Sequence, residues 1–90
     1  MLTPVRSSRF KRDVRKTRKR GKDLSKLRHL LDLLIQQSPV ADRYSDHPLR
    51  GQWKGYREVH IEPDWLLVYR VSGKKLHLVR TGSHSDLFKQ

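Results

Sequence analysis

The sequence predicts an α+β domain, an N-terminal strand and a two-helix hairpin packed on a small antiparallel sheet. Three observations carry this expectation. Apolar residues recur at three- and four-residue steps as far as Leu34, they alternate from Tyr56 onward, and glycine, proline and polar clusters separate the two regimes. A chain of 90 residues buries only about 60% of its unfolded surface, so residues 1–90 are expected to form one domain around one core.

The elements follow in order. Thr3 to Arg6 is expected to add an edge strand. Ser8 through Arg20 reads as a helix with Phe10, Val14 and Thr17 on one side, and Gly21 suits the position just past its end. Asp23 is placed to cap a second helix, in which Leu24, Leu27, Leu30, Leu31 and Leu34 share a broad face. Ser38-Pro39 is expected to stop that helix, with a polar loop to about Asp46. From Tyr56 the period is two: Arg57, Val59 and Ile61 point one way, and Tyr56, Glu58 and His60 the other. Glu62-Pro63-Asp64 makes a turn into Trp65-Leu66-Leu67-Val68-Tyr69, apolar enough for a central strand covered on both faces. Ser72-Gly73-Lys74 turns again, Lys75 to Thr81 gives a third strand, and Gly82 breaks it.

Charge is the dominant bulk property. The chain has 21 Lys and Arg against 9 Asp and Glu, a formal net charge of +12. Twelve of the basic residues lie between Arg6 and Arg28. Each phosphate neutralised by Lys or Arg releases a condensed counterion, so nucleic acid is the leading class of partner, ahead of an acidic protein or an anionic membrane. With no cysteine, neither a disulfide framework nor a thiolate zinc site is available. No apolar stretch approaches the ~20 residues that span a bilayer. Met1 to Arg6 lacks the apolar block of a signal peptide, so a cytoplasmic location is expected, without membrane attachment.

Three loop-proximal segments carry the candidate chemistry: Asp46-His47-Pro48, His60 to Asp64, and Gly82-Ser83-His84. RNA cleavage needs one group to take the 2'-hydroxyl proton and another to protonate the leaving 5'-oxygen. Histidine suits both tasks because its ordinary pKa of ~6.5 leaves both forms populated near neutrality. Asp64 is positioned to orient an imidazole, to stabilise its charged form or to exchange protons itself. Arg80, Arg57 and Lys54 lie in the same segments as cations for the transition state, with Arg80 first among them. Trp53, Tyr56, Trp65 and Phe88 offer flat faces for an unpaired base. Trp65 and Tyr69 sit in an apolar strand and read as core. His29, on the polar side of a helix, and His77, inside a strand, read as structural. His47, His60 and His84 with Asp64 lack close metal-ligand spacing, so no metal and no cofactor is expected.

The segments Asp46-His47-Pro48-Leu49-Arg50-Gly51-Gln52-Trp53-Lys54-Gly55-Tyr56-Arg57, His60-Ile61-Glu62-Pro63-Asp64-Trp65 and Arg80-Thr81-Gly82-Ser83-His84, with Leu87-Phe88, resemble the YafQ-like branch of the RelE/ParE superfamily of bacterial toxins. The likeness runs from about Lys22 to Phe88. It implies a RelE-like microbial RNase fold and an endoribonuclease that cuts messenger RNA in the ribosomal A site without a metal, through attack by the RNA 2'-hydroxyl. On the family pattern the active-site positions fall on His47, His60, Asp64 and His84, with Phe88 contributing. His47 is then the expected general base and His84 the expected acid, with Asp64 able to replace either. The same resemblance implies a DinJ/RelB-like antitoxin that forms a hetero-oligomer with the toxin, and the +12 charge suits a partner of opposite sign.

Two other classes compete. A non-catalytic RNA- or ribosome-binding protein accounts for charge and size but leaves the loop histidines unexplained. A ParE-like gyrase inhibitor shares the fold and needs no catalytic histidines.

Overall fold

The computed structural model describes residues 1–88. Its five-stranded sheet has the order β1-β5-β4-β3-β2, formed by β1 (Thr3–Arg6), β2 (His47–Pro48), β3 (Arg57–Glu62), β4 (Trp65–Ser72) and β5 (Lys75–Gly82). Helices α1 (Ser8–Lys19) and α2 (Leu24–Ile35) join β1 to the rest, and a short α3 (His84–Leu87) follows β5. The α+β expectation holds, but the sheet is mixed: β1 pairs parallel to β5, and the other three pairings are antiparallel.

Local chemistry sets the helix ends. Ser7 accepts from the Phe10 amide at the start of α1, and Asp23 accepts from the Ser25 amide at the start of α2. After α1, Gly21 takes φ +82°, the Lys22 amide reaches the Thr17 carbonyl and the Gly21 amide reaches that of Arg18, closing a Schellman turn. After α2 the same turn is made by Gln37 at φ +57°, so the helix ends before Ser38-Pro39 rather than at it. The polar loop expected to run to about Asp46 contains a 3-10 turn, Asp42–Tyr44, that buries Tyr44; β2 and a second 3-10 turn, Gly51–Trp53, follow before β3.

Strand β4 is central, and residues Trp65 to Tyr69 are buried without a break. Alternation divides them between two apolar clusters. Trp65, Leu67 and Tyr69 meet Phe10, Leu27, Leu30 and Leu34 of the helices. Leu66 and Val68 meet Leu87 on the opposite face, where Leu49, Trp53, Tyr56, Val79 and Phe88 pack around them. The chain therefore has a main core under the helices and a smaller one on the far face. No helix among the described residues is long and apolar enough to cross a membrane.

Candidate active site

The far face of the sheet gathers the candidate residues because directly opposed residues on neighbouring strands point to the same side. His47 of β2 stands opposite Glu58 of β3, Glu58 opposite Val68 of β4, and Val68 opposite Arg80 of β5. A second row runs from His60 through Leu66 to Gly82, two residues before His84. The three imidazoles lie in sequence, with ring centroids 6.1 Å apart for His47 and His60 and 5.7 Å for His60 and His84.

The structure adds Glu58 to this set. Its side chain is 8% exposed, and its Oε2 lies 2.9 Å from His47 Nε2 and 3.4 Å from His60 Nε2. One nearly buried carboxylate thus joins two imidazoles. The signal was present in the strand's alternation, which puts Glu58 two residues before His60 on the same face.

His47 is gripped from both sides. Its Nδ1 lies 2.6 Å from the Ser45 carbonyl, which can only accept, and its Nε2 faces Glu58. Both ring nitrogens are engaged, so neither directs a free lone pair toward a substrate. His84 is different. Its Nδ1 lies 2.9 Å from Asp64 Oδ1, which also accepts the His84 backbone amide at 3.1 Å, and no described residue bonds its Nε2. The His84 amide, and after it the imidazole, hold the Asp64 carboxyl below the ordinary carboxylate range. An ionised Asp64 therefore fixes His84 with Nδ1 donating and Nε2 turned outward.

His84 rides on α3, and α3 is fixed by Asp86. The Ser83 hydroxyl accepts from the Asp86 amide while the Asp86 carboxylate accepts from the Ser83 amide, forming a capping box. The carboxylate also meets Arg20 at 2.6 Å and Lys16 at 3.4 Å. Arg20 foremost holds the Asp86 carboxyl far below its ordinary value. Gly82 makes room for this arrangement: at φ +156°, a Cβ there would lie 2.9 Å from Asp86 Oδ2.

The candidate cations separate. Arg80 shares the histidine face because a bulge between Val68 and Tyr69 of β4 breaks the alternation of β5. Asp13 of α1 holds its guanidinium through Nε at 2.7 Å and Nη2 at 3.1 Å. Arg57 follows Val59 to the helix side, where its Nε meets Asp46 at 3.1 Å beside the Tyr69 hydroxyl, which donates to Asp46 at 2.8 Å. It is not brought to the histidines. Lys54 is exposed at the end of the Gly51–Trp53 turn. Trp53 meets Tyr56 and Phe88 edge-on at 5.5 and 5.8 Å, so the three rings form an aromatic corner beside Leu66 and Val68.

Glu58, His60 and His84 also offer one ligand atom each, all within 4.8 Å of one another. Folding creates this spacing, which the linear sequence does not show.

A profile described as bacterial toxin of type II toxin-antitoxin system, YafQ, matches residues 2–89. The mRNA interferase toxin YafQ of Escherichia coli (strain K12) is 48% identical over 83 residues, covering 91% of this chain and 90% of that protein. The crystal structure of the E. coli DinJ-YafQ complex contains a chain that superposes with a TM-score of 0.90 at 45% identity, covering 98% of this chain and 99% of that one. A metal-bound toxin from Helicobacter pylori gives 0.92 at 44% identity, covering 98% and 100%.

Proposed function

The chain belongs to the YafQ family of bacterial toxins of type II toxin-antitoxin systems, and on that premise we propose that it is an mRNA interferase whose histidine face cleaves RNA by general acid-base chemistry. The observation that carries the mechanism is the His84–Asp64 pair at 2.9 Å on the same face as the His47–Glu58–His60 cluster. In this reading the RNA 2'-hydroxyl attacks the adjacent phosphorus, and the P–O5' bond breaks. The products are a 2',3'-cyclic phosphate and a 5'-hydroxyl. His84, oriented by Asp64, gives the proton to the leaving oxygen through Nε2. The expected base, His47, is occupied at both nitrogens, so the 2'-hydroxyl proton is taken up by the His47–Glu58–His60 cluster as a unit, with the Glu58 carboxylate balancing the charge its imidazoles gain. Arg80, steadied by Asp13, and exposed Lys54 supply positive charge to the RNA. Trp53 and Phe88 offer the flanking base an aromatic surface.

The substrate we assign is messenger RNA in the ribosomal A site, which places the toxin in the cytoplasm as one domain over residues 1–90. A DinJ-like antitoxin is the assigned partner, since a DinJ complex is known for the E. coli relative. Glu58, His60 and His84 are also disposed to bind a transition ion, and a metal-bound relative supports that capacity. This transesterification needs proton transfers alone, so an ion there would tie up His84.

The test uses purified protein and a His84→Ala variant with defined mRNA, with and without programmed ribosomes, and with EDTA where free RNA is cut. Cyclic phosphate and 5'-hydroxyl ends made by wild type, and lost by about 10²-fold or more in the folded variant, support the reading. Equal binding by both proteins with no cleavage by either leaves only an RNA-binding domain.

A further inference from the structure

We infer that a cleft at the open edge of β3 is an RNA subsite, in which Arg43 binds a phosphate next to the scissile one. Strand β2 covers β3 only at Arg57 and Glu58, so the edge from Val59 to Glu62 has no strand beside it. A cavity of about 720 Å³ lies along that edge, walled by α2 and by the Asp42–Tyr44 turn.

Two residues join this cleft to the cleavage centre. His60 lines it and also leans on Glu58 at 3.4 Å. Ser45 lines it and, through its carbonyl, meets His47 Nδ1 at 2.6 Å. A strand whose scissile phosphate sits on the histidines has a direct path over this edge. On the opposite side, α3 and the aromatic corner of Trp53, Tyr56 and Phe88 fill the face.

The charges in the cleft suit an anion beside an apolar surface. Lys26 is paired at 2.8 Å with Glu62, which also meets Lys22 at 2.9 Å, so both lysines at that end of the cleft are engaged by a carboxylate. Arg43 is not. Among the described residues it has no carboxylate within 4.0 Å; its Nη2 donates to the Tyr44 hydroxyl at 3.1 Å, and its guanidinium carbon lies 5.0 Å from the centre of the Tyr44 ring. Neutral contacts thus hold an uncompensated cation in place. His29, read from the sequence as structural, is exposed on the facing wall. Ile61 and Pro63 add apolar surface for a nucleoside. The inference rests on the nuclease reading for which phosphate is scissile, while the binding itself depends only on Arg43.

The experiment measures affinity for ribosomes programmed with a fluorescent mRNA that is 2'-deoxy at the cleaved nucleotide, so that binding is read without cleavage. Arg43→Ala should weaken binding about tenfold, as loss of a charge-assisted hydrogen bond does. It should also flatten the slope of log affinity against log salt by about 0.7, one single-strand phosphate contact. Arg43→Lys should keep the slope. When each phosphate flanking the cleaved bond is made an uncharged methylphosphonate in turn, wild type should weaken at one linkage and Arg43→Ala should be indifferent to that linkage.

Wild-type affinity in a folded Arg43→Ala protein, or equal sensitivity of both proteins at every linkage, overturns the subsite. If Arg43→Ala does not fold, His29→Glu on the facing wall decides, because a carboxylate there should repel the strand and unchanged binding excludes it. If wild type never cuts the all-ribose mRNA, the nuclease reading fails, while the binding series still judges the cleft.

Discussion

Asp13 clasps Arg80 with both carboxylate oxygens, and one of them also accepts the Thr81 amide at 3.2 Å. Strand β1 pairs with β5 only as far as Leu78, so this one side chain of α1 satisfies backbone that no strand reaches. The Asp13 and Arg80 side chains are 12% and 14% exposed. Asp13→Ala leaves a guanidinium largely out of water without its partner and is expected to lower stability by about 3 kcal/mol in urea unfolding. The Asp13→Ala, Arg80→Ala double variant should lose less than the two single losses added together.

The Asp64→Asn protein should fold normally, because Asp64 is exposed at a turn. The amide keeps an acceptor but loses the charge that fixes the His84 ring. Single-turnover cleavage is expected to fall about tenfold or more with RNA affinity unchanged. An unchanged rate would remove Asp64 from the mechanism.

Gln37 closes α2 in the left-handed region, where a side chain crowds its own backbone. Gln37→Gly should therefore stabilise the protein by roughly 0.5–1 kcal/mol, the strain relieved outweighing the added freedom of the unfolded chain. Thermal unfolding checks the sign, and a lower melting temperature would contradict this account of the turn.

Asp86 gives a pH signature. Its carboxyl titrates lower in the folded chain than its unfolded value near ~3.9. Its contribution is therefore complete above that value and is lost as pH falls below about 4 toward the depressed folded value. Asp86→Asn should melt lower than wild type at neutral pH, and the gap should close progressively in acid. A gap that stays constant would show that the Arg20 contact adds nothing through charge.

Much of the architecture was legible because burial and period reinforce each other. The α2 leucines, the two helix caps and the continuous apolar run of β4 each specify one arrangement. Arg57 also follows the strand alternation, which sends it to the helix side with Val59. Arg80 does not follow simple alternation: counting in twos from Leu76 and Leu78 would turn it under the helices, and the bulge reverses it. Such a bulge answers to strand pairing across the sheet, which local sequence does not encode. The same limit applies to Glu58, whose meaning depends on His47 arriving from a segment that reads as loop.

The nine acidic residues have a consequence for how this protein tolerates change. Seven of them, Asp13, Asp23, Asp46, Glu58, Glu62, Asp64 and Asp86, have side chains bonded within the fold; Asp32 and Asp42 have no side-chain bond among the described residues. Most exposed arginines and lysines of α1 have no comparable duty. The molecule can therefore drift toward neutrality by shedding surface cations, but it cannot easily become more basic by giving up acids, since nearly every carboxylate lost would take a cap, a strut or a piece of the cleavage centre with it.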